Sequence, residues 1–396
     1  MNNPTLSRRH LIGLAGKYGL RAVLGAAAIS SATGVLPVTS LLSSVARAQS
    51  PKYKIRFGAG IMSRLNEPHF ATGLYKFVSL AEEMTDGSVR FEVVDSSQSC
   101  SEATCGERVL SGVIDIGSSS PQNLGTVMPY SIAMDFPFLW QGREGYINFF
   151  YSKDSNRLYR DVMRRRYDIE PLWVSGEMRN ILLGLKFKNK SAITEPADFK
   201  QAKIRITNSV MIANFIRSIG SNPIPLAWTE TLEGLKSGVV DGAETWPGAA
   251  TGFGMHNVVS HDVPLEFCVG CEMIFMSRKA LMKLPTDIQE KILEAAYQAM
   301  QHGYEAVGVA KNKHIGNGPN PEPTSAYMEA GIKLAPLSET VLAQYKELAN
   351  VEKNSVIWSS ARSGLDRDSG FDTFAAMTEV AAKYNGKQHS PQRWWV

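Results

Sequence analysis

Residues Phe199–Pro247 read FKQAKIRITNSVMIANFIRSIGSNPIPLAWTETLEGLKSGVVDGAETWP. The segment sets a fixed cation, Arg205, at the end of a short strand (Lys203–Ile206), follows it with a helix-like run and closes on an acidic turn that bears Trp246. Arginine presents a planar fork of donors that matches a carboxylate, and it stays charged at any physiological pH. At a strand end facing a cleft, it suits the capture of an organic acid. In isolation the same residue reads as a surface salt-bridge arginine, so the surrounding pattern carries the assignment.

That pattern extends outward. Lys54–Gly60 reads as a strand, Pro68–Met84 puts Phe70, Leu74, Phe77, Val78, Ala81 and Met84 on one helical face, and Val89–Val94 reads as a second strand. This is a βαβ unit, which implies a largely parallel sheet covered by helices on both faces. Ligands of such sheets gather beyond the carboxyl ends of the strands. The last third is helical: Thr286 and Gln289 form a capping-box signature ahead of Ile288, Ile292, Ala295, Ala299 and Met300, and another helix follows Ser338.

The chain resembles the solute-binding subunits of TRAP transporters (tripartite ATP-independent periplasmic, DctP type). Their pattern is DLKGLKIR, a helix, GANPVP, then EVYTALQQGVVDGQENP, and it is matched here by KIRI, GSNPIP, ETLEGLKSGVVDG and AETWP. The similarity continues upstream through GVIDIGSSSP (Gly112–Pro121) and MDFPFLW (Met134–Trp140). The resemblance implies an α/β, type II periplasmic-binding fold, with two α/β lobes around a ligand cleft and a long spanning helix. Residues 53–176 plus 265–305 would form lobe I, and 177–264 plus 306–396 lobe II.

The resemblance also implies site residues. Arg205 would be the principal carboxylate clamp, and Arg179, in SGEMRN, the second cation of the cleft; the competing reading pairs Arg179 with Glu177 at a strand edge. Thr245 stands where the family has the ligand-contacting Asn of QENP, and Trp246 would add an aromatic wall. Glu244 would line the site. In metal-assisted relatives an acidic residue here binds a cation with the ligand, so a bridging sodium or calcium ion held by Glu244 and Glu272 is the alternative to metal-free capture and to a structural role for both. Asn66, in the first βα loop, is a further ligand candidate; Ser119 and Ser120, after a strand, offer hydroxyls.

Four cysteines form two local pairs, Cys100 and Cys105 in CSEATC and Cys268 and Cys271 in CVGC. In an oxidising compartment they are expected as disulfides, either two local loops or two bridges across the pairs. A zinc or iron–sulfur site made by all four thiolates is the alternative, and it defines a rival function, an exported metal- or cluster-binding redox protein.

The N-terminus carries SRRHLIG (Ser7–Gly13), a mildly apolar run and a small-residue cleavage signal at Ala46–Ala48. This reads as a twin-arginine export signal over residues 1–48, with the product periplasmic and not membrane-spanning after processing. Five basic and no acidic residues precede Gln49, which leaves 37 basic against 38 acidic residues in the remainder. The excess of positive charge therefore belongs to the signal and argues for no nucleic-acid partner. No nucleophile elbow, zinc-protease, phosphate-loop or dinucleotide motif is present. The expectation is a non-enzymatic receptor without a cofactor that captures an organic acid and hands it to TRAP membrane permease subunits; a sensor-linked role would look the same in sequence.

Overall fold

The computed structural model describes residues 51–65, 72–316 and 323–396. The export signal, Asn66 and most of the Gly316–Pro323 segment lie outside these residues. Among the described residues, eleven strands form two sheets. The first contains β1 (Tyr53–Gly58), β2 (Val89–Val94), β3 (Ile116–Ser119), β4 (Ile169–Met178) and the later β10 (Val269–Ser277), in the order β2-β1-β3-β10-β4. The second contains β5 (Asn180–Gly184), β6 (Lys203–Ile206), β7 (Asn222–Pro225), β8 (Gly242–Thr245), β9 (Val259–Val263) and β11 (Lys333–Leu334), in the order β11-β9-β5-β8-β6-β7.

The expected βαβ unit is present: β1 and β2 pair in parallel across the helix Leu74–Met84, which buries Leu74, Phe77 and Ala81. The first strand stops at Gly58, short of the expected Gly60, whose φ of 46° has left the extended region. Each sheet is covered by helices, giving two α/β lobes. The chain passes between them through Met178–Asn180 and again through Val263–Val269. These two crossings are bonded to each other, since Arg179 N donates to the Cys268 carbonyl (2.8 Å) and Phe267 N to that of Arg179 (3.0 Å). Paired crossing segments of this kind are where a hinge motion concentrates its dihedral changes.

Between β4 and β10 the backbones approach so closely that a Cβ on Gly176 would come within 2.1 Å of the Gly270 carbonyl oxygen. Only glycine fits there. The long helix Thr286–His314 runs 29 residues, about 43 Å at the usual rise. It packs on Leu74–Met84 and β4 of one lobe and on the helix Pro247–Gly252 beside the other sheet. Its start corrects the capping-box reading: Thr286 is already helical, Pro285 is the N-cap, and Gln289 Nε2 donates to the Leu284 carbonyl (2.8 Å). Proline supplies no side-chain acceptor and its fixed φ suits a helix start. The Ser338 cap is present, accepting from Val341 N. After Ser355 the C-terminal helices return to the first lobe, packing on Pro129–Met134 and Gly142–Phe150, with Trp394 against Tyr151.

Only one cysteine pair is bridged. Cys100 and Cys105 form a disulfide, whereas Cys268 and Cys271 are buried thiols. The second pair lies in and just before β10, where three extended residues separate Cα atoms by about 10 Å, beyond the roughly 7 Å that a disulfide spans. Burial also pushes both thiols well above their ordinary range, which keeps them inert. Denaturation without reductant should therefore expose two titratable thiols per chain, and the native protein none. Zero thiols after denaturation would contradict the assignment.

Asp262 in β9 is fully buried and accepts from the Tyr327 hydroxyl (2.9 Å). Burial raises its carboxyl from 3.8 to about 7. The folded state keeps this proton where the unfolded chain has lost it, so the group's contribution to stability falls as pH rises through that window and is flat above it. Asp262→Asn should therefore gain in melting temperature relative to the parent between about pH 5 and about pH 8. A difference independent of pH would rule out the raised titration.

Candidate ligand cleft

The carboxyl ends of parallel β6 and β8 and the start of antiparallel β5 lie at one edge of the second sheet. Arg205 pairs in register with Ala243, Ile181 with Glu244 and Asn180 with Thr245. Arg205, Arg179, Glu244 and Thr245 are thus brought together from residues far apart in the chain. Opposite them, the first sheet presents Ser120, after β3, and Glu272 on β10. Arg179, Arg205, Thr207, Thr245, Trp246 and Glu272 line an inner chamber of about 30 Å³. An outer chamber of about 210 Å³ shares Ile61, Glu102, Asn123 and Trp228 with it and is bounded further by Asn208 and Leu226.

The two arginines are used differently. Arg179 Nη1 donates to Glu244 Oε2 (2.6 Å), Nη2 to Gln122 Oε1 (3.0 Å) and Nε to the Val269 carbonyl (3.1 Å). Burial opposes its charge, but the Glu244 carboxylate more than offsets this and holds its pKa above the ordinary value. Glu177, the competing partner, instead accepts from Gly248 N (3.4 Å). Arg205 is 1% exposed and donates Nε to the Leu226 carbonyl (2.9 Å). Its Nη1 lies 3.7 Å from Glu244 Oε1, close enough for an ion pair, yet it has no hydrogen-bond partner among the described residues. Burial pulls its pKa down to about 10, so it remains a cation at neutral pH. The Trp228 ring lies 5.3 Å from its guanidinium, and the indole N–H likewise has no hydrogen-bond partner among the described residues.

Glu244 is fully buried and also accepts from Thr207 N (2.8 Å). Its oxygens thus serve the arginines and the backbone. Glu272 lies beside Glu102, and burial, then the Glu102 carboxylate, pushes its pKa well above the usual carboxylate range. The two candidate metal ligands therefore have different surroundings, one ion-paired and the other facing a second acid. Among the described residues, no group of three or more His, Cys, Asp or Glu side chains is placed to hold a metal ion.

Sequence reasoning missed several participants. Gln122 bridges the crossing, accepting from Arg179 while donating to Asp135 Oδ1 (2.6 Å) and the Val269 carbonyl (3.1 Å). Asp135, raised to about 7 by burial, also accepts from Ser209 Oγ (3.4 Å). It lies inside the MDFPFLW match, where a charged residue among aromatics was the available signal. Ser119 Oγ donates to the Glu102 carbonyl (2.6 Å), and the residue lines neither chamber. Ser120 caps the short helix Pro121–Leu124 while lining the inner chamber.

Two α/β lobes, joined by paired crossings and closing on a buried cationic pocket, define a solute-receptor architecture. The chain belongs to the DctP family, the bacterial extracellular solute-binding proteins of family 7, whose model matches residues 65–351. It is 24% identical over 314 residues to the C4-dicarboxylate-binding periplasmic protein DctP of Rhodobacter capsulatus, covering 78% of this chain and 83% of that protein. It is 26% identical over 190 residues to the 2,3-diketo-L-gulonate-binding periplasmic protein YiaO of Escherichia coli, covering 48% and 55%. The fold is similar to that of a TRAP periplasmic solute-binding protein from Desulfovibrio salexigens with bound orotic acid (TM-score 0.71, 21% identity, 84% of this chain and 99% of that one). A Shewanella oneidensis counterpart with bound succinate gives a TM-score of 0.68 at 18% identity, covering 84% and 100%. Among the described residues no helix is long and apolar enough to cross a membrane.

Proposed function

We propose that this protein is a periplasmic receptor that closes its two lobes over one small organic acid, binds the carboxylate through Arg205, and delivers it to TRAP permease subunits without chemical change. The observation that carries this reading is the buried Arg205 cation, lining the inner chamber with one guanidinium nitrogen that has no hydrogen-bond partner among the described residues. Buried cations persist only where a counter-charge and hydrogen bonds offset desolvation. Glu244 hydrogen-bonds Arg179 and reaches Arg205 only as an ion pair at 3.7 Å, so a ligand carboxylate completes the Arg205 site. Arg179 acts as the second cation through its field and by holding Glu244, and Thr245 and Trp246 form the wall. The acids named for relatives and structural neighbours, C4-dicarboxylates, orotate and succinate among them, share the carboxylate group and little else. Export by the N-terminal twin-arginine signal belongs to the same proposal. The redox rival loses its ligand set, because two of its four thiols are joined in a disulfide.

A thermal-shift screen tests this. Only the folded state has the site, so a ligand at 100 times its dissociation constant adds about 2.7 kcal/mol. At least one mono-, di- or aromatic carboxylate should raise the melting temperature, and sugars and free cations should not. Stabilisation by neutral compounds alone would overturn the organic-acid reading.

A further inference from the structure

We infer that Thr207 and Trp228 set the specificity of the cleft: with Arg205 they select a monocarboxylate that carries a neutral acceptor oxygen, a carbonyl, hydroxyl or ether, on its body. This inference rests on the organic-acid reading and narrows its substrate class. Side chains along a strand alternate between its two faces, so Thr207, two residues on from Arg205, returns to the face that Arg205 occupies. Both border the inner chamber. Thr207 is buried, its N–H is used by Glu244 Oε1, and its Oγ1 has no hydrogen-bond partner among the described residues. Trp228 opens the helix Trp228–Ser237 and borders both chambers. Its ring is held edge-on against Phe253, with centroids 5.5 Å apart, and its buried indole N–H has no hydrogen-bond partner among the described residues.

Three residues with an unmatched donor thus converge on one small chamber: the Arg205 cation, the Thr207 hydroxyl and the Trp228 indole. The carboxylates nearby are already engaged. Glu244 serves Arg179 and Thr207 N, and the Glu102 carboxyl is taken up by Ser120 N, Asn123 Nδ2 and the neighbouring Glu272 carboxyl. A water needs about 10–15 Å³ of such space, so the inner chamber, of about 30 Å³, takes a group of carboxylate size. The rest of the ligand extends past Trp228 into the outer chamber of about 210 Å³. Arg205 and the Thr207 hydroxyl receive the two carboxylate oxygens, and Trp228 meets the body. An indole nitrogen can only donate, so the atom beside it has to accept. An ammonium or a hydrocarbon there leaves the indole N–H unmatched, which costs a buried polar group in general about 1–3 kcal/mol. The charges set the rest of the class: one open cation answers one carboxylate, and the other two donors are neutral. A second carboxylate would approach the Glu102–Glu272 pair with no further cation to balance it.

The test uses the full chain with bound ligand removed by denaturation and refolding, in titration calorimetry. The panel pairs 2-oxopentanoate, 2-hydroxypentanoate and 4-oxopentanoate with pentanoate, 5-oxohexanoate with hexanoate, and tetrahydrofuran-2-carboxylate with cyclopentanecarboxylate; succinate and L-norvaline complete it. At least one oxygen-bearing monocarboxylate should bind roughly tenfold or more tighter than its hydrocarbon analogue. Trp228→Phe keeps a ring and removes the N–H, and it should bring the two members of that pair to within about threefold of each other. Thr207→Val should weaken both members by a similar factor, on the order of fivefold. Analogues binding as well as their oxygenated parents, a preference that survives Trp228→Phe, or succinate or L-norvaline binding tighter than every oxygenated monocarboxylate would overturn the inference and leave the organic-acid reading standing. Failure of every oxygenated member to bind would overturn it as well, and binding by the methyl esters alone would overturn both readings. If Trp228→Phe fails to fold, the wild-type chain with its seven tryptophans labelled with nitrogen-15 decides. One indole proton resonance should move downfield with the oxygenated acid and not with its analogue, and identical indole spectra for the two would overturn the inference.

Discussion

Arg205→Ala should lower the affinity for the cognate acid by about two to four orders of magnitude, the equivalent of roughly 3–5 kcal/mol for removing one member of a desolvated charge pair. The lost group is a buried cation with Nη1 open to a ligand, so the variant removes the carboxylate's principal partner and places it nearer Glu244 without a counter-charge. Arg205→Lys separates charge from geometry. An ammonium keeps the charge but loses the fork that satisfies both the Leu226 carbonyl and a carboxylate, so an intermediate loss of about tenfold or more is expected. Calorimetry of the alanine variant showing a loss below about tenfold would remove Arg205 from the clamp role.

Much of the scaffold was legible because its signals are local. The β1–helix–β2 periodicity, the Arg205 strand and the turn carrying Glu244 to Trp246 each fall within a few dozen residues, and their sheet positions follow from parallel pairing. What escaped is what the fold assembles from afar. Glu102 reaches the cleft on a disulfide loop whose sequence, CSEATC, advertises only its cysteines. The division of labour between Arg179 and Arg205 was invisible too, since it depends on which of them Glu244 approaches to 2.6 Å and which to 3.7 Å. Cys268 and Cys271 were misread because compartment and spacing favour bonding, whereas the extended backbone at β10 keeps the sulfurs apart. Residues 1–50 and Asn66 carry sequence arguments alone.

Glu244→Gln should destabilise the ligand-free protein by roughly 3–5 kcal/mol, because two buried guanidinium groups lose the carboxylate they share. For a chain of this size that corresponds to a fall in melting temperature on the order of 5 °C. The amide cannot simply substitute. Thr207 N and Arg179 Nη1 both donate to this side chain, one to each oxygen, and glutamine offers an oxygen to one and an N–H to the other. Bound acid should behave differently. Its carboxylate restores negative charge beside Arg205 and no longer competes with Glu244, so the ligand-induced rise in melting temperature should be larger in the variant than in the parent. The double variant Arg179→Met/Glu244→Gln, which removes the charge pair together, should recover part of the lost stability, since replacing both partners avoids an uncompensated buried ion. A variant as stable as the parent would mean that Glu244 does not neutralise the arginines. A smaller ligand-induced rise would mean that the acid does not sit against Arg205, and the clamp would have to be sought elsewhere in the cleft.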